Sequence, residues 1–180
     1  MKKYLILVVI IVNSALIAQS SDTVIASGQE APTFSLPDMQ QNYISLRDYC
    51  GEQLRKPWKN KVKHVVVLSF FATWCKPCIK EIPHLENVLK QFTGHPVKFF
   101  LIDVGEEREK VVAFLAKKEI KIPVLLDRYQ KTAEKYDALT LPRLVVIDKD
   151  GLIQKEQKGF TDPELFEAEI TDLILKLLKI

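Results

Sequence analysis

Residues 64–71 read HVVVLSFF, a nearly unbroken run of β-branched and aromatic side chains. Such a run suits a strand buried on both faces, as found at the centre of a parallel sheet. No other segment restricts the fold as strongly, because a strand of this kind needs layers above and below it.

The flanking sequence supplies those layers. Ile79, Ile82, Leu85, Val88, Leu89 and Phe92 recur at helical spacing and predict a helix over about 76–92, with Pro83 inside it at the cost of one hydrogen bond. VKFFLIDV (97–104) reads as the next buried strand, and EEREKVVAFLAKKE (106–119) as an amphipathic helix, acidic at its start and basic at its end. IPVLLD (122–127) is a short strand and YQKTAEKYD (129–137) a short helix. RLVVID, the turn KDG and LIQKEQK read as a β-hairpin over 143–158. The last helix, 161–179, has Asp162 as its N-cap and Pro163 in its first turn. Near the start, APTFSLPD (31–38) and NYISLRDY (42–49) suggest two short strands, and a polar loop runs from about Cys50 to Lys63. The order β-α-β-α-β-α-β-β-α predicts an α/β fold: a mostly parallel sheet with helices on both faces and an antiparallel hairpin at its end.

The first twenty residues are a separate object. Lys2 and Lys3 precede an apolar stretch of about fifteen residues, short for a membrane span of roughly twenty, and AQS places small residues at Ala18 and Ser20. We read 1–20 as a signal peptide cut after Ser20, with Ala18 as the alternative and an uncleaved anchor as the competing reading. Residues 21–180 are then a single domain. Either reading sends it to the periplasm or the outer face of the cytoplasmic membrane. The chain of 180 residues, 47% hydrophobic and 27% charged, can build one core without staples. Loss of Lys2 and Lys3 lowers the net charge from +3 to +1. Nearly neutral composition argues against a nucleic-acid partner. The basic cluster RKPWKNKVKH (55–64) reads as a solvated loop.

Two of the three cysteines stand together in WCKPC, at Cys75 and Cys78. A closed zinc site needs four ligands, usually from two separated pairs, and no second pair is present. His84 sits about 120° around the predicted helix from Cys78. A purely structural disulfide would close too short a loop to contribute much. The redox reading has a mechanism. Cys75 stands where the strand hands over to the helix, so unpaired N–H groups and the helix dipole favour its thiolate. They could lower a thiol starting near 8.5 to roughly 7–8. Lys76 pushes the same way. Cys78, one turn further in, is placed to attack a mixed disulfide at Cys75. Glu81 lies three residues past Cys78 on nearly the same face. It is either a solvated glutamate near Lys76 or Lys80, or a carboxylate that takes and returns the proton of Cys78. If ionised, it opposes the dipole by raising the thiol pKa.

APTFSLPD, SFFATWCKPCIKEIPHLENV and LPRLVVIDKDG together resemble the TlpA/ResA-like extracytoplasmic thioredoxins, with an AhpC/TSA-redoxin-like domain, over about residues 28–178. The resemblance implies a thioredoxin-like fold and a thiol–disulfide oxidoreductase. It makes Cys75 the exposed nucleophile, Cys78 the resolving thiol, Cys75–Cys78 a redox disulfide and Glu81 the acidic residue of a C-x-x-C-x-x-E motif. It makes Pro142 a cis-proline facing the cysteines, and it assigns substrate contacts to Trp74, Lys76, Pro77, Leu141 and Pro142. It implies no metal and no dissolved cofactor. The implied substrates are protein thiols and disulfides, with reduction of apocytochromes in cytochrome c maturation favoured and electrons drawn from a membrane donor of the DsbD/CcdA type. A monomer is expected. Cys50 is extra to the pattern: a buried, inert thiol, or one that pairs transiently or with a second chain. The competing enzyme class is a thiol peroxidase of the peroxiredoxin type, which wants P-x-x-x-T/S-x-x-C. Leu68 and Ala72 occupy its proline and threonine positions. A metal-binding thioredoxin-fold module is the third reading.

Overall fold

The computed structural model describes residues 27–57 and 59–180, so the signal-peptide reading of 1–20 falls outside the described residues. The apolar run becomes β3 (Val65–Phe71), every residue of which is buried. It is the middle strand of a five-stranded sheet, order β5-β4-β3-β6-β7, with β4 Val97–Val104, β5 Val124–Asp127, β6 Arg143–Ile147 and β7 Ile153–Lys158.

β3, β4 and β5 run parallel, with Val65 level with Val97 and Leu101 level with Val124. β6 runs antiparallel to β3, and β7 antiparallel to β6. The sheet is therefore mixed, half parallel and half antiparallel by ladder, where a mostly parallel one was predicted. The reason lies in α3, which is only Lys131–Lys135. Five helical residues span about 7.5 Å, whereas a return along a seven-residue strand needs about 23 Å. The chain therefore enters β6 from the end at which β5 stopped, and runs the other way.

One sheet face carries α1 (Lys76–Gln91) and α4 (Pro163–Leu178). Cys78, Ile82, Leu85 and Val88 of α1 and Phe166, Ile170 and Ile174 of α4 meet Val65, Val67 and Phe71 there. α1 runs unbroken through Pro83, whose ring faces solvent. In α4, the Asp162 carboxylate caps the helix by accepting from the Leu165 N–H at 3.0 Å, as predicted. α2 covers Arg108–Leu115 and lends Val111 to the same face. It is shorter than the predicted 106–119, and its last turn holds no basic residue. Glu106 cannot open it, because that side chain is turned inward to accept from Thr73.

The opposite face is covered by Ala133 and Tyr136 and by the N-terminal segment: Phe34, Leu36, Leu46 and Cys50 pack against Val66, Leu68 and Phe70. The two short N-terminal strands form, as β1 (Ser35–Pro37) and β2 (Tyr43–Ser45), but they pair with each other. Single bridges, Asp38 to Leu125 and Glu30 to Leu152, tie this segment to the main sheet.

Candidate active site

β3 delivers the chain to Ala72, and a tight turn follows in which the Cys75 N–H donates to the Ala72 carbonyl at 3.0 Å. Cys75 is thereby the N-cap of α1, in extended conformation, and its sulfur accepts from the Cys78 N–H at 3.3 Å. Pro77 fits the first turn because its missing N–H has no intrahelical partner to lose. Cys75 and Cys78 are joined as a disulfide, with Cα atoms 5.3 Å apart. The predicted order of exposure holds in a weaker form. Cys78 is 1% exposed, but Cys75 is itself buried at 4%, so the exposed nucleophile expected from the resemblance is covered in the oxidised protein. What stands open beside it is Trp74, at 65%, with Lys76 and Pro77 also exposed.

Glu81 is not a solvated helix glutamate. It is buried beneath the cysteines on the sheet side of α1, where the Ser69 hydroxyl donates to its Oε1 at 2.7 Å. Its Oε2 is buried without a partner. Burial pushes the carboxyl up to about 7, against the Ser69 hydrogen bond, which lowers it. Ser69 was missed at the sequence level. The signal was there, since it is the one polar side chain within VVVLSFF.

A buried carboxyl pair was also missed. Asp103 and Glu106 lie at and just past the end of β4, and the register sets Asp103 level with Phe71. Glu106 accepts from both the N–H and the hydroxyl of Thr73, two residues before Cys75, and pairs with Lys110. Burial raises the Glu106 pKa, but Lys110, Thr73 and Asp103 together hold it below the usual glutamate range. Asp103 goes the other way. Burial first, then the neighbouring Glu106, push it up to about 8, and its Oδ2 has no partner.

The Leu141–Pro142 peptide is cis, as the resemblance implied. Pairing of Phe70 with Arg143 brings Pro142 alongside the end of β3, the strand that leads to the cysteines. Pro142 is buried and Leu141 half-buried, packed against both cores. Cys50 lies across the sheet, 1% exposed and unpaired, its thiol pushed up to about 12 by burial and by the charge of Asp148. His84 pairs with Glu167 at 2.6 Å. In the basic loop, Arg55 and Lys59 pair with Asp48 and Lys63 with Asp150, so these charges are neutralised locally. A groove of about 950 Å³ lies between the β1–β2 hairpin and α3 and does not include the cysteines.

The arrangement can carry two electrons as a disulfide and hold a proton beneath it. Comparison with known proteins agrees. Residues 27–156 match the AhpC/TSA family. The thiol-disulfide oxidoreductase ResA of Bacillus thuringiensis subsp. konkukian is 31% identical over 140 residues, 78% of this chain and 74% of that one. ResA of Bacillus subtilis is 32% identical over 135 residues, 75% and 69% of the two chains. Among solved structures, a candidate thiol:disulfide interchange protein DsbE from Chlorobium tepidum superposes with a TM-score of 0.72 at 23% identity, covering 86% of this chain and 99% of its own; that likeness bears on the fold alone.

Proposed function

Since the chain belongs to the AhpC/TSA family, as a ResA-like thiol–disulfide oxidoreductase of thioredoxin fold, we propose that it reduces selected protein disulfides outside the cytoplasmic membrane, with Cys75 as nucleophile and Cys78 as resolving thiol. The observation that carries this reading is the position of the Cys75–Cys78 pair at the N-cap of α1, directly above the buried Glu81.

In the reduced protein the Cys75 thiolate attacks one sulfur of a substrate disulfide. A Cys75–substrate bond forms and the substrate's other sulfur leaves as a thiolate. Cys78 gives its proton to the Glu81 carboxylate and attacks the Cys75 sulfur, which expels the second substrate thiolate. The protein ends oxidised and the substrate gains two electrons and, from Glu81 and solvent, two protons. A carboxyl poised near pH 7 suits this task, because it can both take and return a proton. Leu141, Pro142 and the exposed Trp74, Lys76 and Pro77 form the surface on which an extended substrate segment rests.

The next cycle requires a dithiol donor. An exported protein draws on the membrane, through a partner of the DsbD/CcdA type, and apocytochromes awaiting haem attachment are the favoured substrates. The basic start and apolar stretch of residues 1–20, and the ResA relatives, support this reading.

The test is equilibration with a series of redox buffers, with Cys75 and Cys78 read by alkylation. A midpoint near thioredoxin's, about −270 mV, is expected; one near DsbA's, about −120 mV, would make the protein an oxidase instead. The peroxidase reading needs catalytic consumption of hydrogen peroxide, and the hydroxyl its pattern requires three residues before the cysteine is here the buried Ala72.

A further inference from the structure

Ala138–Pro142 is the last part of the connection from α3 to β6, and Leu139, Thr140 and Leu141 within it make no backbone hydrogen bond among the described residues. Their peptide groups are therefore open to a partner strand. The position of this loop depends on its two ends, and both ends are held by charge. At the exit of α3 stands Asp137, in the left-handed region at φ 47°. At the entry to β6 stands Arg143, 3% exposed although it carries a full charge. The Arg143 guanidinium reaches Asp137 at 3.5 Å and Glu156 of β7 at 2.7 Å, and Lys158 adds a contact to Asp137 at 2.8 Å.

Arg143 alternates with Leu144, whose side chain packs on the cysteine face, so the guanidinium lies on the other side of the sheet. Neither cysteine is among its partners, which are Asp137 and Glu156. On its own side it bonds the exit of the loop, its entry and the adjacent strand together. On the strand edge, the Gly159 N–H donates to the Pro142 carbonyl at 2.9 Å and fixes the last residue of the loop from β7 as well. A buried cation held by partly exposed carboxylates in this way contributes little net stability but is costly to leave unpaired, which makes it a device for holding one geometry.

We propose that Arg143, with Asp137 and Glu156, is a positioning clamp that sets the 138–142 loop at the height a substrate strand needs to pair with Leu141. The proposal rests on the exchange function stated above and adds to it the determinant of protein-substrate affinity. The clamp acts on docking and not on the sulfur chemistry, so it separates two readouts. Reduction of the Cys75–Cys78 disulfide by dithiothreitol needs no docked strand. Reduction of a protein disulfide does.

The experiment compares Asp137→Asn and the double variant R143M/E156Q with the parent chain. The double variant removes the buried Arg143 charge together with its partly buried Glu156 partner, so no lone ion is left inside, and Asp137 is exposed enough that its variant tests the clamp even if the double variant does not fold. Insulin reduction is the protein assay. The expected result is a rise in KM of about threefold for Asp137→Asn and about tenfold for R143M/E156Q, with kcat, the redox midpoint and the dithiothreitol rate unchanged. An unchanged KM in a folded variant overturns the clamp, and so does an equal loss towards insulin and dithiothreitol. Failure of the parent chain to reduce insulin at all would instead overturn the exchange reading.

Discussion

The Ser69 hydroxyl donates to Glu81 across the interface of β3 and α1 at 2.7 Å, leaving the second carboxylate oxygen buried and unpartnered. The bond favours the ionised form and burial favours the neutral one, with burial the larger effect. Removing the hydroxyl in Ser69→Ala takes away the lowering contribution, so the carboxyl moves further up from about 7. The rate of disulfide release, measured by stopped flow between pH 5 and 9, should show its inflection shifted to higher pH in this variant. Glu81→Gln should lose the inflection and fall by about a hundredfold at neutral pH, the usual scale of a lost proton acceptor. An unaltered profile in Glu81→Gln would remove Glu81 from the reaction.

The same carboxyl ties stability to pH. Glu81 holds its proton more tightly folded than unfolded, with a folded pKa of about 7 against an ordinary 4.5. Its contribution is therefore complete below about pH 4.5 and is lost as pH rises through about 7, on the order of 3 kcal/mol in all. Asp103, also raised, adds loss in the same direction, spread from about pH 4 up to about pH 8. The oxidised protein should melt at a higher temperature at pH 5 than at pH 8. Glu81→Gln should flatten that slope, because its side chain stays neutral throughout.

Cys78→Ser leaves the attacking sulfur and removes the resolving one. Incubated with a disulfide-bonded protein, the variant should accumulate a mixed disulfide through Cys75, visible as a higher-mass band without reductant and absent with it. Cys75→Ser should form no such band through Cys78, since that sulfur lies deeper and is 1% exposed. Equal trapping by both variants would reverse the assigned roles.

Strands, helices and their order are legible because burial writes a period into the sequence. Ile82, Leu85 and Val88 mark one face of α1, and VVVLSFF marks a strand covered on both sides. Glu81 is legible for the same reason, since three residues from Cys78 is one turn. The Asp103–Glu106–Thr73 contact is not legible. It joins residues more than thirty positions apart through the β3–β4 register, and periodicity carries no register. The direction of β6 depends on how far a five-residue helix can carry the chain, and the burial of Cys75 on the rim around it. Arg143 follows Pro142 in the sequence as an ordinary cation would, and nothing local says that Glu156 and Asp137 will enclose it.

Cys50 offers a check on the second core. A thiol pushed up to about 12 is ionised to roughly one part in ten thousand at pH 8, and only the thiolate alkylates. In the native oxidised protein, iodoacetamide at pH 8 should leave Cys50 unlabelled for hours, and in guanidinium it should label it within minutes. Cys50→Ala should keep the insulin reduction rate within about twofold of the parent, because the residue faces the other side of the sheet from the disulfide. Rapid native labelling, or a large loss of rate, would bring Cys50 back as a participant.

Glu106 restrains the turn that carries Trp74 and Cys75, and its two oxygens do different work. Oε2 takes the Thr73 N–H, while Oε1 takes the Thr73 hydroxyl and the Lys110 ammonium. An amide in its place can accept through one oxygen only and turns an NH₂ group towards a second donor. Glu106→Gln should therefore cost about 1–3 kcal/mol by chemical denaturation and speed hydrogen exchange at the Thr73 amide. Lys110→Met should cost less, since the Lys110 side chain is largely solvated. Asp103→Asn separates charge from bonding. Unfolded, Asp103 ionises above its ordinary 3.8, whereas folded it keeps its proton up to about 8, so the amide should match the parent only below about pH 4 and already be the more stable at pH 6. Above about pH 8 the folded parent places two carboxylates side by side and the variant does not, so the variant's advantage should be at its full size there. A variant less stable than the parent at pH 9 would mean that Asp103 ionises without opposition, and that the pair does not share its charge in the way its burial requires.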